Sequence, residues 1–255
     1  MTTDEYRKAD GVNFSSLKHI LKSPAHYQAN LSEDDEPTQA MIAGTLAHAM
    51  ILEGKNLLDL YAIKPEGMRF STKEGKAWRD AQTLPILESD TALAIPRMAE
   101  SIVANPYAYS MLKGCQHRET PLFANLRGVD CKALLDAHGT DNGEQWVICD
   151  LKTTDDASPE AFAKKVANLD YDMQKSFYSQ VLAQVHQLEI SPMWFWIVVE
   201  KSAPFTCAVY SSEQWDESGD SKLERALELY KQCIANNQWP QPFAGITTLE
   251  RPKWA

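Results

Sequence analysis

The chain has 255 residues, 44% of them hydrophobic and 24% charged, and a formal net charge of −10. This length fits one large globular domain, or at most two small ones. The excess of acids argues against passive binding of phosphates over the whole surface, but it allows a local cationic groove or carboxylates that hold metal ions.

Two further properties narrow the class of protein. The polar start "MTTDEYRKAD" has no signal-peptide pattern, and the longest apolar run, "MWFWIVV", falls well short of the roughly 20 residues of a membrane helix. The five cysteines form no C-x-x-C pair. This pattern predicts reduced thiols in a cytosol and argues against a zinc ribbon or an iron–sulfur cluster.

The first part of the chain is predicted to be mainly helical. A short helical piece, "NFSSLKHILKSPAHY", has Asn13 or Ser15 as its cap and should end at Pro24. An acidic surface loop over 31–39 separates it from a helix over about 38–54.

The region 55–115 continues this helical character. The stretch "STKEGKAWRDAQ" predicts a helix with an N-terminal cap. Four prolines are predicted to break the region: Pro65, Pro85, Pro96 and Pro106.

Strand patterns begin at about residue 118. The segments "RETPLFANLR", "GVDCKALLDAHG" and "EQWVICDLKTT" predict three antiparallel strands, joined by turns at "RG" and "GTDNGE". A helical stretch over about 158–187 follows, with a break at Leu169–Asp170. Two strands, "MWFWIVVEK" and "PFTCAVYS", and a long helix over about 213–236 complete the pattern. The tail is predicted to be irregular and to be packed down by Trp239 and Trp254.

This order of elements predicts a single α/β (α+β) domain, in which helices flank a mixed central sheet and the N-terminal part adds a helical elaboration. We expect a mainly helical part over 1–115, a catalytic sheet-and-helix core over 116–237 and a C-terminal tail over 238–255.

The strand "VICDLKT" carries the main chemical signal. Alternation places Asp150 and Lys152 on one face and Val147, Cys149 and Leu151 on the other, in a core. The preceding hairpin strand brings Asp136 beside Asp150. Two converging carboxylates repel each other unless a cation lies between them, so we predict a Mg²⁺ site for phosphodiester hydrolysis. The alternative is a surface strand with an ion pair between Asp150 and Lys152.

Two helices add polar candidates. Gln174 and Tyr178 are four residues apart on one helix face, where they could orient a scissile phosphate and its nucleophile, or simply form an ordinary helix rim. His48 lies among Gly44, Ala47 and Ala49, small residues that allow close packing. It could serve the site or be a hydrogen-bonded core histidine.

Together these residues resemble the PD-(D/E)XK arrangement of RecB-like nucleases. More closely, the chain resembles the nuclease domain of RecE-type exonucleases, which are exonuclease VIII-like enzymes of phage and prophage recombination systems. The stretches that carry the resemblance span nearly the whole chain: "SSLKHILKSPAHY", "AGTLAHAMILE", "CDLKTTDDASPEAFAKKVANLDYDMQKSFYSQVL" and "RPKWA". An Asp-x-Lys, where many RecB-like members have Glu-x-Lys, agrees with the RecE type.

The resemblance implies a PD-(D/E)XK, restriction-endonuclease-like core and a Mg²⁺-dependent 5′→3′ exonuclease, in which Mn²⁺ could replace Mg²⁺. Such an enzyme degrades double-stranded DNA from its ends and leaves 3′ single strands for a single-strand-annealing partner. His48, Asp136, Asp150 and the Leu151 carbonyl would ligate the metal. Lys152 would be the catalytic lysine, and Gln174 and Tyr178 would match the group's Q-x-x-x-Y helix. A homo-oligomeric ring is expected.

Several assignments stay open. Lys18, Lys22 or His26 could contact DNA, and Glu119 could join the acidic cluster or be an exposed carboxylate at a strand start. The competing functions are a non-catalytic DNA-end-binding protein and, on the same fold, an endonuclease or a single-strand-specific nuclease.

Overall fold

The fold is a central sheet between two layers of helices. In a computed structural model of the chain, the described residues are 1, 3–31, 39–141, 145–243 and 245–251. Its five-stranded sheet contains, in this order, the strands His117–Leu126, Val129–Asp141, Gln145–Thr154, Met193–Glu200 and Cys207–Ser211, and a separate two-stranded sheet pairs Ala62–Ile63 with Ile86–Leu87. The predicted mixed α/β domain is therefore confirmed.

The N-terminal part is mainly helical, as predicted. Its elements are α1 (Thr3–Lys8), α2 (Phe14–Leu17), a 3-10 turn (Lys18–Leu21), α3 (Pro24–Asn30), α4 (Gln39–Glu53), α5 (Leu57–Leu60), β1 (Ala62–Ile63), α6 (Lys73–Asp80), β2 (Ile86–Leu87), α7 (Ser89–Ala104) and α8 (Pro106–Gly114). Among the described helices, none combines the length and the apolar character needed to cross a bilayer.

The sheet-and-helix core follows the predicted order. Its elements are β3 (His117–Leu126), β4 (Val129–Asp141), β5 (Gln145–Thr154), α9 (Pro159–Asn168), α10 (Tyr171–His186), β6 (Met193–Glu200), β7 (Cys207–Ser211), a 3-10 turn (Glu213–Trp215) and α11 (Asp216–Asn236). Strands β5 and β6 are parallel, because α9 and α10 form the crossover between them; the other neighbours in this sheet are antiparallel.

Both faces of the sheet are buried. One core contains Ile148, Trp196 and Phe177, and α10 and α11 contribute to it; the other contains Cys149, Leu151 and Ile197, and α4, α7 and α8 contribute to it. The predicted alternation along β5 is confirmed, since Cys149 and Leu151 share one core. Ile148, however, is also buried, so Asp150 lies next to a second apolar layer and not on a solvated face.

Strand β4 separates from β5 beside the predicted acids. Among the described pairings of these two strands, the ladder runs from Asp141↔Gln145 only as far as Ala137↔Cys149. The N-terminal half of β4 remains paired with β3, and Val12 forms a bridge to Cys131. We call the resulting opening next to Asp136 the β4–β5 split. It matters because backbone groups of β5 at the split need partners from side chains.

Three proline positions differ in their outcome. Pro96 lies inside α7, so the predicted break there is wrong; buried packing of Ile95 and Met98 outweighs the lost hydrogen bond. Pro24 does separate two helical pieces, but it does so by starting α3, with Ser23 as its cap, and Pro106 starts α8. Asn13 caps α2 and Thr72 caps α6, as predicted.

The tail and the loops are described in part. Trp239 stacks on Tyr27 with ring centroids 5.3 Å apart, so it holds the start of the tail as predicted. Trp254, nearly all of the acidic segment 31–39 and the centre of the "GTDNGE" turn lie outside the described residues.

Candidate active site

Helix α4 and strands β3, β4 and β5 bring polar side chains together at the β4–β5 split. Small residues allow the close approach of α4: Ala47 is fully buried, and a side chain at Gly44 would lie 3.6 Å from the Thr153 hydroxyl of β5. His48 of α4 therefore contacts the backbone of β5. The predicted residues His48, Asp136 and the Asp150–Lys152 pair therefore converge on one place.

The backbone of Leu151 is the centre of this arrangement. Its N–H donates to Asp136 Oδ2 at 2.7 Å, and His48 Nε2 lies 2.9 Å from its carbonyl oxygen. Asp136 and His48 thus form hydrogen bonds to backbone groups of β5 that would pair with β4 if the ladder continued. The same residues that complete the sheet are the predicted metal ligands.

The other ring nitrogen of His48 faces two acids. His48 Nδ1 lies 3.5 Å from Asp136 Oδ1 and 3.6 Å from Glu119 Oε1. Burial alone would lower the pKa of His48, but Asp136 and Glu119 raise it to about 9. Burial also raises the pKa of Asp136, against the opposing charges of His48 and Lys152. A metal bound through His48 needs the neutral imidazole, so it would compete with this proton.

Asp150 and Lys152 form a buried pair. Lys152 Nζ lies 2.6 Å from Asp150 Oδ2, and the two side chains are only 14% and 2% exposed. Burial raises the pKa of Asp150 to about 6, although Lys152 acts in the opposite direction. For Lys152, burial lowers the pKa, but the charge of Asp150 outweighs it and the net shift is upward. This geometry is incompatible with the solvated surface ion pair that was the alternative.

Helix α10 contributes the two predicted residues of its inner face. Gln174 is buried, and its Oε1 has no hydrogen-bond partner among the described residues. Burial and the nearby charges of Tyr6, Asp136 and Asp150 raise the pKa of Tyr178, while a hydrogen bond from Gln174 opposes that rise. Tyr178 thus lies near the acids, with Gln174 next to it, and neither residue is on an exposed helix rim.

The three predicted DNA contacts are placed differently. Lys18 is half-buried, and burial lowers its pKa, with smaller opposing effects from Asp170 and Lys152. Lys22 is exposed, and the ring of His26 is 2.5 Å from the Ser23 hydroxyl at the start of α3. A role of these residues in DNA contact stays a prediction.

A cleft of about 680 Å³ opens onto these residues. Its floor includes His48, Glu119 and Asp136, and the aromatic rings of Tyr6, Tyr61 and Tyr178 are among its walls. Asp150 and Lys152 lie deeper than the cleft surface. The volume is in the range of sites for small ligands, so a strand of a few nucleotides fits better than a whole duplex.

The donor set fits a divalent cation. His48, Glu119 and Asp136 each offer a ligand atom, and these atoms lie within 4.8 Å of one another. Because His48 Nε2 is engaged with the Leu151 carbonyl oxygen at 2.9 Å, Nδ1 is the ring nitrogen that faces the two acids. Asp150 Oδ1 and Glu119 Oε1 are buried and accept no hydrogen bond from a described residue, whereas Asp150 Oδ2 is paired with Lys152. Oxygens in this state favour a hard cation.

Two residues stand out beyond the sequence prediction. Glu119, left open in the sequence, is turned into the cluster by a left-handed backbone with φ of 43°. Tyr171 lies under the catalytic lysine candidate, with its ring centroid 4.6 Å from Lys152 Nζ. The only sequence signals were an acid at a strand start and an aromatic residue at a helix start, and neither specifies a contact.

The chain is similar to known proteins over nearly its whole length. Residues 13–251 match the family described as "PDDEXK-like domain of unknown function (DUF3799)". Of the curated proteins, none matches. The chain is similar to a solved structure from Eubacterium rectale, described as "Putative exonuclease", with 13% identity, a TM-score of 0.61, and 99% and 95% coverage of the two chains. The structure of SSO0001 aligns at 12% identity and covers 72% of this chain and 86% of that chain. Its TM-score of 0.30 is too low to indicate a shared fold.

The fold and the site define the class as a PD-(D/E)XK nuclease-like protein. The chain belongs to the DUF3799 family of PDDEXK-like domains, since the match covers most of its length. The likeness to the Eubacterium rectale structure supports the same fold.

Proposed function

We propose that the protein is a Mg²⁺-dependent 5′→3′ exonuclease of the RecE type, which degrades double-stranded DNA from its ends and leaves 3′ single-stranded overhangs. The observation that supports this most is the convergence of His48, Glu119, Asp136 and Asp150 around the Leu151 backbone, with Lys152 2.6 Å from Asp150. Clustered buried carboxylates, of which Asp150 Oδ1 and Glu119 Oε1 have no donor among the described residues, suit metal-assisted hydrolysis of a phosphodiester.

In the proposed reaction, a water oxygen attacks phosphorus and the water releases a proton to solvent, while the bond from phosphorus to the 3′ oxygen breaks and the leaving oxygen takes a proton from solvent. Mg²⁺ bound at the acids, or Mn²⁺ in its place, would lower the pKa of that water and neutralise charge at the phosphate. The metal would be held by His48, Asp136, Asp150 and the Leu151 carbonyl, together with Glu119.

Other residues of the chain position the reactants. Lys152 donates hydrogen bonds to the attacking water or to a phosphate oxygen, and its charge stabilises the developing negative charge. Gln174 and Tyr178 orient the scissile phosphate from α10. Lys18 is the nearest of the candidate DNA contacts, and Lys22 and His26 lie further along the same N-terminal segment.

The direct test uses linear duplexes labelled separately at each 5′ and 3′ end, with and without Mg²⁺, alongside closed circular and single-stranded DNA. We expect metal-dependent loss of the 5′ label first and no cleavage of closed circles. Binding without cleavage would instead support an end-binding protein, and cleaved circles would support an endonuclease. Preferential degradation of single strands would support a single-strand-specific nuclease.

The variant Asp150→Asn ties the activity to the site. We expect a loss of at least 100-fold in rate, because a charged ligand is replaced by a neutral group of the same size. The matched control is Glu160→Gln, which removes an exposed carboxylate in the first turn of α9. Full activity in a folded Asp150→Asn protein would contradict the assignment.

We further propose a partner, a cellular location and an oligomeric state for the protein. The overhangs would be passed to a single-strand-annealing protein, and the protein would work in the cytoplasm of a bacterial cell. We propose a homo-oligomeric ring, which light scattering of the purified protein tests; a monomer at working concentration would contradict it.

A further inference from the structure

Two cysteine side chains are in contact at the end of the β4–β5 ladder. Sγ of Cys115, the C-cap residue of α8, lies 3.7 Å from Sγ of Cys149 on β5, and both residues are buried. Cys149 directly precedes Asp150, and its pair with Ala137 is the last described pair of the ladder before the split. The sulfur contact is therefore one residue away from a proposed metal ligand, although neither cysteine takes part in the proposed chemistry.

The backbone around Cys115 is fixed against β4. A side chain at Gly139 would lie only 2.9 Å from Cys115 Cα, so no side chain fits between the two backbones. The carboxamide of Gln116 accepts from the Thr140 N–H at 3.0 Å and donates to the Thr140 carbonyl oxygen at 3.1 Å. Arg118 donates to the Cys115 carbonyl oxygen at 2.7 Å. The end of α8 consequently has little freedom to move toward β5.

The thiol of Cys115 differs in chemistry from other thiols of the chain. Its pKa is lowered by the hydrogen bond with Cys149 and by the nearby charge of Arg118, although burial opposes this shift. Burial instead raises the pKa of Cys131 to about 12 and that of Cys207 to about 11. The thiolate is the form of cysteine that oxidants attack, and Cys115 is also more exposed than Cys149, at 7% against 1%. Cys115 is therefore the sulfur of the pair that a small oxidant meets first.

We propose that Cys115 and Cys149 form a reversible disulfide on exposure to a peroxide, and that this bond switches off the candidate site on β5. The inference rests on the proposed function for its effect on DNA cleavage, and it adds regulation of the same site. A disulfide bond is about 2.05 Å long, so the two sulfur atoms must approach each other by roughly 1.6 Å. Because the end of α8 is fixed, β5 makes most of this movement, and a shift of about 1 Å at a reacting group costs about 100-fold in rate.

The bond forms in two steps in which the peroxide is the oxidant. The Cys115 sulfur attacks one oxygen of hydrogen peroxide, the O–O bond breaks, and the departing hydroxide takes up the thiol proton and leaves as water. The product is a sulfenic acid, and the Cys149 sulfur attacks its sulfur atom. The S–O bond then breaks, and the departing hydroxide takes the Cys149 proton. In total, two thiols are oxidised to one disulfide while one peroxide is reduced to two water molecules.

The test treats the purified, reduced protein with hydrogen peroxide, removes the oxidant, and compares samples before and after reduction with dithiothreitol. Intact mass and peptide mapping after alkylation show whether the bond between Cys115 and Cys149 has formed. We expect both the Mg²⁺-dependent degradation of linear duplex DNA and the affinity for Mn²⁺ to fall about tenfold or more, and dithiothreitol to restore both. Cys115→Ser should keep its activity in peroxide. The matched control Cys207→Ser, which removes a partly buried thiol of β7, should respond like the wild type.

The outcomes separate this inference from the proposed function. A folded wild type in which peroxide leaves Cys115 and Cys149 unlinked overturns the inference, and so does a disulfide that changes neither cleavage nor Mn²⁺ affinity. Both results come from the wild type and do not depend on the folding of a variant. A Cys115→Ser protein that loses activity in peroxide as the wild type does also overturns the inference. If the reduced protein never cleaves duplex DNA, but the disulfide forms and weakens Mn²⁺ binding, the proposed function is wrong and the inference stands.

Discussion

At the scale of single residues, Glu119 shows how the site recruits a group that sequence periodicity cannot assign. Its left-handed backbone, with φ of 43°, turns the carboxylate toward His48, and Oε1 has no hydrogen bond from any described group. Non-glycine residues rarely adopt this conformation, so the surrounding structure must hold it there.

We expect Glu119→Gln to weaken Mn²⁺ binding about tenfold or more, because a neutral amide is a poorer ligand than a carboxylate. Isothermal titration calorimetry measures the affinity, and Glu160→Gln is the control, since that carboxylate is exposed on α9. An unchanged Mn²⁺ affinity would exclude Glu119 from the metal site.

Tyr171 is expected to position Lys152. With Nζ 4.6 Å from the ring centroid, the contact is a cation–π interaction worth about 0.5–2 kcal/mol. Tyr171→Leu should therefore lower kcat roughly 2- to 30-fold with KM little changed, and Tyr171→Phe should restore most of it, because the ring is kept.

A double-mutant comparison separates this role from a general loss of packing. In a Lys152→Met background, Tyr171→Leu should cause no further loss of the residual rate, because the residue it positions is already absent. A further loss of the same size as in the wild type would show that Tyr171 acts independently of Lys152.

At the scale of elements, the position of α10 depends on its close packing with α11. A side chain at Gly219 would clash with the Asp172 carbonyl oxygen and would lie 2.6 Å from the Ser176 hydroxyl. Helix α10 carries Gln174 and Tyr178, so this contact with α11 helps to fix the position of both side chains.

Gly219→Ala should lower the free energy of unfolding by about 1–3 kcal/mol, the usual cost of overpacking a tight contact. The matched control is Gly114→Ala at the end of α8, where a side chain would meet nothing within 4 Å. Urea denaturation compares the two. Equal stability of the two variants would mean that α11 can shift without cost.

The sequence predicted which segments are helices and strands better than it predicted where these elements end and how they pair. Alternation in "VICDLKTT" and the caps at Asn13 and Thr72 are local signals, and the structure has the predicted strand and helices there. Pro96 was misjudged because tertiary burial of α7 outweighs a local rule. The β4–β5 split depends on packing between segments that are distant in sequence. The spacing of residues within either strand therefore does not predict where their hydrogen-bond ladder ends.

At the scale of the molecule, the acidic site and the net charge of −10 both favour the binding of a cation. Glu119, Asp136 and Asp150 bring three carboxyl groups into one buried region, where Lys152 and His48 offset their charge only in part. Binding of a divalent cation should consequently stabilise the whole fold, because the unfolded chain has no such site.

Removal of the metal should be visible in thermal unfolding. At a tenfold excess of metal over Kd the expected gain is about 1.4 kcal/mol, or roughly 3–6 °C in Tm for a chain of this size. The measurement compares Mg²⁺ with EDTA at equal ionic strength. Asp150→Asn should reduce the shift, and a wild-type Tm that does not respond to Mg²⁺ or Mn²⁺ would contradict the metal site.

The hydrogen bond from the Leu151 amide to Asp136 decides how variants that remove one of the two acids differ in stability. Asp136→Ala would leave that amide without an acceptor, at a cost of about 1–3 kcal/mol. Asp150→Asn keeps the amide paired but leaves the buried Lys152 without the carboxylate 2.6 Å away, at a cost of about 3–5 kcal/mol. The urea midpoint should therefore be lower for Asp150→Asn than for Asp136→Ala.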